Sequence, residues 1–187
     1  MSSPHSTTSA DEGVGRRAPG GPAPSSQPIR RPDFAFMRPR AARWIALGMG
    51  SGLSRMAPGT VGTLWAWAAW LVAAPHLSGR AGLLVIALGL AVGPWACART
   101  AEALGVADHG AIVWDEIVAF WIVLAVLPGG FSWQLTGFVV FRFFDIVKPP
   151  PIRWADTRFK GGAGVMLDDL MAAFYTLLVL AAWQAWV

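Results

Sequence analysis

Six carboxylates stand out in this sequence because they cluster in short stretches of an otherwise apolar chain. They are Asp108, Asp115, Glu116, Asp145, Asp168 and Asp169. Asp115 and Glu116 are adjacent and lie near the start of the run IVWDEIVAFWIVLAVL. Mg²⁺ is usually held by one or two carboxylates together with waters and phosphate oxygens. The set therefore predicts a Mg²⁺ site on a phosphate substrate, in which some of the six hold the metal and others surround it.

Basic residues accompany the fourth of these acids. Arg142 precedes Asp145 by three residues and Lys148 follows it by three, so each pair shares a helix face. The pairs either neutralise each other within the helix, or the cations hold a phosphate. In the second interpretation Arg142, Lys148 or Arg153 is the phosphate ligand, and an arginine can donate two parallel hydrogen bonds to it.

Two glycine-rich segments lie next to apolar runs. GLSRMAPGTVGT, residues 52–63, ends with Thr60 and Thr63 at the start of such a run. Backbone N–H groups at a helix N-terminus can hold phosphate, although a simple turn with a helix cap is the alternative. It is not a Walker loop, because no Gly-Lys-Ser/Thr follows. KGGAGVMLDD, residues 160–169, is predicted to be a flexible connection between helices that delivers two carboxylates.

Cysteine and zinc chemistry are not favoured. Cys97 is the single cysteine, so the chain forms no internal disulfide. A cysteine phosphatase loop needs an arginine six residues later, and Ala103 stands there. His109 is the only histidine near the acids, and no spacing of cysteines and histidines typical of zinc occurs.

The composition indicates a membrane protein. Of 187 residues, 55% are hydrophobic and 14% are charged, and the mean hydropathy is +0.47. Soluble domains carry about 25% charged residues, so a soluble helical bundle with a large apolar core is the less favoured alternative. The net charge of +4 arises in residues 1–43, which hold seven arginines against three acids.

Residues 1–43 are predicted to be a disordered basic tail rich in proline, glycine and serine. No apolar segment typical of a secretory signal occurs in this part. A nucleic-acid-binding arm is the alternative, but no aromatic residues are interleaved with basic ones in a folded module, so no nucleic-acid partner is expected.

The remainder, residues 44–187, is predicted to be one helical domain. Its five apolar runs are too long and too rich in alanine and leucine for strands. They are 61–77, 81–98, 112–128, 133–147 and 170–187. We expect an all-α fold, a compact and mostly membrane-embedded bundle of about five to six helices.

The distribution of basic residues predicts the orientation of these helices. If the tail is cytoplasmic and the runs alternate in direction, only Arg80 lies on the outer side. The inner segments then hold the other six basic residues of the connections, as the positive-inside rule requires. They are Arg55, Arg99, Lys148, Arg153, Arg158 and Lys160. The same topology brings the six carboxylates, Arg142 and the two threonines to the cytoplasmic end.

Four motifs, in this order, resemble the phosphatidylglycerophosphatase A family of bacterial lipid phosphatases over about residues 44–187. They are GLSRMAPGTVGT, DHGAIVWDE, FRFFDIVKPPPIRWAD and GGAGVMLDD. The resemblance implies Mg²⁺-dependent hydrolysis of phosphatidylglycerophosphate to phosphatidylglycerol and phosphate, and a compact bundle around a central helix. Arg55 and Ala173 depart from the family, which commonly has proline and glycine there.

We therefore expect a phosphoric monoester hydrolase of phospholipid biosynthesis, a multi-pass protein of the bacterial inner membrane with its site facing the cytoplasm. Its expected metal ligands are Asp115, Glu116, Asp168 and Asp169. Its expected catalytic residues are Asp108, Asp115, Glu116 and Asp145. Its expected substrate-binding residues are Thr60, Thr63, Arg142, Lys148 and Arg153.

Two other classes of protein fit the sequence less well. A small cation transporter or channel subunit would use intramembrane carboxylates along an ion path, but it needs polar groups at several depths, and the outer halves of these runs are almost purely apolar. An alcohol phosphatidyltransferase would need Asp-Gly followed closely by Ala-Arg, and the sequence has no such run.

Overall fold

The computed structural model describes residues 31–106, 109–159 and 161–186. Within these ranges the chain forms eight α-helices and no strand. The five long helices are α3 (Pro58–Ala73), α4 (Gly79–Leu104), α5 (Trp114–Val126), α6 (Phe131–Val147) and α8 (Gly161–Trp186). The three short ones are α1 (Phe34–Met37), α2 (Ala41–Ala46) and α7 (Ile152–Arg158). The predicted all-α bundle is confirmed, and each apolar run forms most of one long helix.

Helix α5 is the centre of the bundle, as the family resemblance implies. Every residue from Ile117 to Phe120 has no solvent exposure, and α5 packs against α3, α4, α6 and α8. Two tryptophans fix its neighbours: the Trp114 indole donates to the Gly89 carbonyl of α4 at 3.1 Å, and Trp121 donates to Ala66 of α3 at 3.0 Å. The first turn of α5, which carries the adjacent acids, is therefore rigidly placed.

The glycine-rich segment before the last apolar run is helical, so the predicted flexible connection is wrong. Helix α8 begins at Gly161, and Asp168 and Asp169 lie two turns inside it. A Cβ on Gly162 would lie 1.9 Å from the Pro94 carbonyl oxygen, and one on Gly164 would lie 2.4 Å from that of Phe159. Glycine costs a helix about 1 kcal/mol relative to alanine, but here Gly162 permits close packing against α4, and Gly164 permits close packing against Phe159 at the end of α7. Lys160 lies outside the described residues.

Residues 31–43 differ from the tail expected there, because they contain α1 and the start of α2. Asp33 caps α1 by accepting the Phe36 N–H at 2.7 Å. Arg43 donates to the Phe36 carbonyl at 2.8 Å, which ties α1 to α2. Aromatic packing also holds this segment against α2, since the Phe34 and Trp44 rings meet edge to face with their centres 5.7 Å apart. Residues 1–30 lie outside the described residues.

The exterior of the bundle is apolar over much of its length. Exposed examples are Leu84, Leu88, Val139, Phe143, Phe174 and Trp183. Two helices within the described ranges, α4 and α8, are long and apolar enough to cross a membrane. Helices α3, α5 and α6 have 16, 13 and 17 residues, fewer than the roughly 20 of a simple span. The predicted five-crossing topology stays a prediction.

Candidate functional site

The polar residues meet at one end of the bundle. Helices α3 and α5 begin there and α6 ends there, and the third turn of α8 and the short α7 lie beside them. Contacts between these elements, described below, confirm the convergence expected from alternating helix directions. Beyond its first turn, from Ile117 to Val126, α5 carries no charged residue.

Arg142 joins three elements of this end. Its Nη1 lies 3.1 Å from Glu116 Oε1 on α5 and 3.4 Å from Thr63 Oγ1 on α3, and it forms an ion pair with Asp145 one turn along α6. Thr63 in turn donates its hydroxyl to the Gly59 carbonyl at 2.9 Å. The Arg142 side chain is only 12% exposed, and its Nε is buried without a hydrogen-bond partner in the described part of the chain.

The start of α3 packs directly on this arginine cluster. Ala57, in the left-handed conformation, precedes Pro58, and no side chain caps the helix. A Cβ on Gly59 would lie 1.9 Å from Glu116 Oε1, so only glycine allows the carboxylate to lie against the first turn. The first N–H groups of a helix lack intrahelical partners, and the Glu116 carboxylate, which accepts from Arg142, lies against this first turn at Gly59. An anion at this point meets both a helix N-terminus and a guanidinium.

Lys148 forms a second cluster. It caps α6 in the left-handed conformation, forms an ion pair with Asp168 of α8, and lies 3.4 Å from Asp156 of α7. Burial lowers the pKa of Lys148, but the hydrogen bond and charge of Asp168 raise it further, so the net pKa lies above the ordinary value. Lys148 is therefore a cation at neutral pH. Asp168 Oδ1 is buried and has no hydrogen-bond partner among the described residues.

The adjacent aspartates of α8 serve different clusters. Consecutive helix positions do not share a face, so Asp168 turns to Lys148 while Asp169 turns inward. The Asp169 side chain is within hydrogen-bonding reach of Asp145 and close enough to Asp115 and Glu116 for their charges to act on it. Asp169 is 3% exposed and Asp145 is 8% exposed. Two carboxyl groups this close need a proton or a cation between them.

The structure thus divides the predicted site residues. One set consists of the contacts of Arg142, which are Thr63, Glu116 and Asp145, together with Asp115 and Asp169, which lie near these acids. The other set is Lys148 and Asp168. Thr60 lies half-buried in the first turn of α3, and Arg153 is exposed on α7 without an ion pair to any described residue. Asp108 lies outside the described residues.

Two site residues were missed from the sequence. Asp156 contacts Lys148 across the three prolines, and Gly59 receives the Glu116 carboxylate. Asp156 had a weak signal, because it is an acid within the motif FRFFDIVKPPPIRWAD. Gly59 had an equally weak signal, because it lies within the motif GLSRMAPGTVGT, but its contact with Glu116 depends on where α5 lies.

The oxygen donors at this end of the bundle meet part of what Mg²⁺ requires. Asp145 and Asp169 form a close oxygen-only pair, with Asp115 and Glu116 beside them, and Mg²⁺ typically takes one or two carboxylates and fills its other positions with water and phosphate oxygens. No three Asp, Glu, His or Cys side chains among the described residues are arranged as a complete metal centre. The residues therefore fit a Mg²⁺ held by two carboxylates, and they do not form an all-protein cage.

The architecture defines the protein as a small all-α protein with an apolar exterior, whose buried charged residues gather at one end of the bundle. More narrowly, the chain belongs to the phosphatidylglycerophosphatase A family, whose model matches residues 44–184. This confirms the resemblance drawn from the four motifs.

Three relatives show how far the similarity extends. A phosphatidylglycerophosphatase A of Haemophilus influenzae is 43% identical over 144 residues, covering 76% of this chain and 88% of the relative. One of Escherichia coli is 44% identical over 137 residues, covering 73% and 79%. A Bacteroides thetaiotaomicron relative, whose name is given provisionally as phosphatidylinositol-3-phosphatase, is 38% identical over 167 residues, covering 85% and 99%. No solved structure gives a significant match.

Proposed function

We propose that this protein is a phosphatidylglycerophosphatase. It removes the terminal phosphate of phosphatidylglycerophosphate and releases phosphatidylglycerol and inorganic phosphate. Family membership and the names of the two relatives at 43% and 44% identity support this substrate. The names of these relatives and the apolar exterior support a location in the bacterial inner membrane, with the polar end facing the cytoplasm by the distribution of basic residues.

The observation that carries the proposal is the environment of Arg142. The buried guanidinium of Arg142 is held between Glu116 and Thr63, beside the start of α3, which no side chain caps. Its Nε–H has no acceptor among the described residues and can donate to a ligand. A phosphate monoester fits there, because guanidinium and helix N–H groups both donate to phosphate oxygens. Lys148, the neighbouring cation, supplies further positive charge for the phosphate.

The carboxylates supply the proton chemistry of hydrolysis. The oxygen of water attacks phosphorus, the bond between phosphorus and the glycerol oxygen breaks, and that oxygen must gain a proton. Asp145 and Asp169 are buried side by side, and Asp115 lies close enough for its charge to act on Asp169. A carboxylate of this group that does not hold the metal ion accepts the proton of the attacking water, and a proton is returned to the leaving oxygen. Glu116 positions Arg142 and keeps it from closing on Asp145 alone.

Mg²⁺ is part of the proposal. The ligands expected from the sequence are Asp115, Glu116, Asp168 and Asp169, and the structure favours the Asp145 and Asp169 pair, with Asp115 beside it. When bound, the ion would neutralise phosphate charge and lower the pKa of a coordinated water. Asp168 is engaged by Lys148 and fits a role in positioning that lysine better than a role as ligand.

Phosphate release from phosphatidylglycerophosphate in mixed micelles tests the activity. Purified full-length protein is expected to release phosphate with Mg²⁺, to stop with a chelator, and to recover on re-addition of Mg²⁺. Absence of release from folded protein under every condition would refute the phosphatase proposal. Equal release with and without chelator would refute only the metal.

Substitution of single carboxylates tests the site. Glu116→Gln weakens the contact that positions Arg142, and Asp169→Asn removes one carboxylate of the buried pair. Both are expected to lower kcat by about 10²-fold or more, the usual scale for misplacing or losing a catalytic group. Glu102→Gln is the matched control, because Glu102 is an exposed carboxylate on α4 whose contact is with Arg99. Near-normal turnover in either site variant would remove that residue from the mechanism.

A phosphoinositide is the second candidate substrate, because the Bacteroides relative carries that name. Release rates from phosphatidylglycerophosphate, phosphatidylinositol 3-phosphate and phosphatidic acid, compared at equal surface concentration, distinguish the two head groups. We expect the first to be fastest by kcat/KM. A cation transporter is disfavoured because α5 carries no charged residue beyond its first turn.

A further inference from the structure

A basic cavity lies outside the proposed active site, where the C-terminal part of α4 meets α2. Its volume is about 530 Å³, and Arg40, Arg43, Trp95, Arg99 and Glu102 line it. None of these residues contacts the Arg142 or Lys148 clusters. Volumes of this size are typical of sites that hold small ligands. We propose that this cavity binds the phosphodiester head group of an anionic phospholipid of the surrounding bilayer, separately from the substrate.

The first support is the depth at which the cavity lies along α4. Leu84, Leu88 and Trp95 are all exposed on one side of this helix, and Arg99 follows Trp95 by one turn on the same face. An apolar stripe that ends in tryptophan and then a cation marks the boundary between hydrocarbon and head groups. Because α4 is long and apolar enough to cross a membrane, its cavity lies at head-group level.

The second support is charge. Three arginines and one glutamate line the cavity, so its formal net charge is three minus one, or +2. Glu102 lies 3.8 Å from Arg99, but both side chains are largely exposed, at 70% and 66%, so the pair is weak and leaves Arg99 able to donate elsewhere. Basic pockets beside membrane helices on the cytoplasmic side are typical sites for anionic lipid head groups.

The third support is that part of the cavity is already rigid. Thr100 donates to the Ala42 carbonyl at 3.4 Å, which joins α4 to α2. Arg43 donates to the Phe36 carbonyl, and its guanidinium lies 4.0 Å from the centre of the Phe36 ring. Its other N–H groups therefore point from a fixed position, and little entropy is lost when a phosphate binds.

A lipid is favoured over a soluble phosphate because the cavity is continuous with the apolar stripe. A head group held by Arg40 and Arg99 would place its acyl chains along Trp95 and Leu88, both about half exposed. Burying that surface adds affinity that a soluble anion cannot obtain. The proposal depends on a membrane location, and it does not depend on the identity of the substrate.

Native mass spectrometry of the full-length protein in detergent, titrated with dioleoylphosphatidylglycerol or dioleoylphosphatidylcholine, tests the proposal. We expect preferential retention of phosphatidylglycerol. The double variant Arg40→Gln/Arg99→Gln is expected to lose about 30-fold in affinity for the lipid bound at the cavity, from the usual contribution of two surface cations. Arg43 is left unchanged because it also holds α1 in place.

The matched control is Arg80→Gln/Arg158→Gln, which removes the same charge from exposed positions away from the cavity, and it is expected to bind like the unmodified protein. Equal loss in control and test variants would overturn the proposal, as would unchanged binding in the test variant. Competition by soluble glycerophosphoglycerol as effective as the lipid itself would also overturn it. The rate of phosphate release by the test variant at saturating substrate is expected to stay within about twofold of that of the unmodified protein. A failure of the lipid-binding proposal is therefore distinguishable from a failure of the phosphatase proposal.

Discussion

Gly59→Ala is the sharpest single test of how the site is built. The added Cβ would lie 1.9 Å from Glu116 Oε1, 2.8 Å from its Cδ and 3.0 Å from Oε2. Ordinary carbon–oxygen contact needs more than about 3 Å, so the carboxylate must move by roughly 1 Å. That displacement breaks the 3.1 Å contact from Glu116 to Arg142. A misplacement of about 1 Å in a catalytic group can cost 10²-fold, or about 2.7 kcal/mol of transition-state stabilisation.

Stability should respond differently from activity in this variant. The colliding atoms are the end of a flexible side chain, and alanine stabilises a helix by about 1 kcal/mol relative to glycine. We therefore expect kcat/KM for phosphate release to fall about 10²-fold while the midpoint of thermal unfolding changes by no more than a few degrees.

The control is Gly82→Ala, another helical glycine, whose Cβ would meet only the Trp70 ring at 3.9 Å; it should leave kcat/KM unchanged. Glu116→Asp in the Gly59→Ala background shortens the colliding side chain and should restore part of the activity. Wild-type turnover by folded Gly59→Ala would refute the placement of Glu116. Equal losses in the two alanine variants would refute the steric argument.

Three further predictions follow from contacts at the same end. Arg142→Lys keeps the positive charge but loses the planar guanidinium that reaches Glu116, Thr63 and Asp145. The rate of phosphate release should fall at least about 10²-fold, with KM raised as well as kcat lowered. An unchanged KM would argue against phosphate binding by Arg142. Lys148→Gln should lower the unfolding temperature by the same amount at pH 6 and at pH 9. A lysine whose pKa is raised in the folded state contributes its full stabilisation below its unfolded pKa of 10.5, and loses it only as the pH rises through the folded pKa. A destabilisation that is smaller at pH 9 than at pH 6 would contradict the ion pair with Asp168. Gly162→Ala places a Cβ 1.9 Å from the Pro94 carbonyl oxygen, a collision with backbone, so the free energy of unfolding should fall by about 1–3 kcal/mol, measured by thermal or denaturant unfolding in detergent.

The location of the site was predictable because it depends on periodicity and connection length. Short turns force neighbouring apolar helices to run antiparallel, and that alone brings the start of α5 and the end of α6 to one end. Arg142 and Asp145 form an ion pair as their spacing predicts. The pairing of Arg142 with Glu116 required in addition the rotation of each helix, which the sequence pattern constrains weakly when helices are apolar on several faces.

The partners of the α8 aspartates were not predictable for a related reason. Glycine-rich GGAGVMLDD lacks helix propensity, so it indicates a loop, and a loop lets both carboxylates reach the same ion. The close contact of Gly162 with Pro94 makes the segment a helix, and a helix directs Asp168 and Asp169 to different neighbours. Tertiary packing, which a single sequence does not reveal, overrides local propensity here.

The shortness of α5 determines how far the lipid's phosphate must travel. Its 13 residues span about 20 Å, whereas the hydrocarbon core of a bilayer is about 30 Å thick. If the apolar end at Val126 reaches the far boundary, the acids at the near end lie about 10 Å below the head-group plane. We expect the bilayer to thin locally around this end or water to fill a funnel above it. Turnover should then depend on acyl-chain length, with thinner bilayers presenting the phosphate at the depth where Arg142 is held.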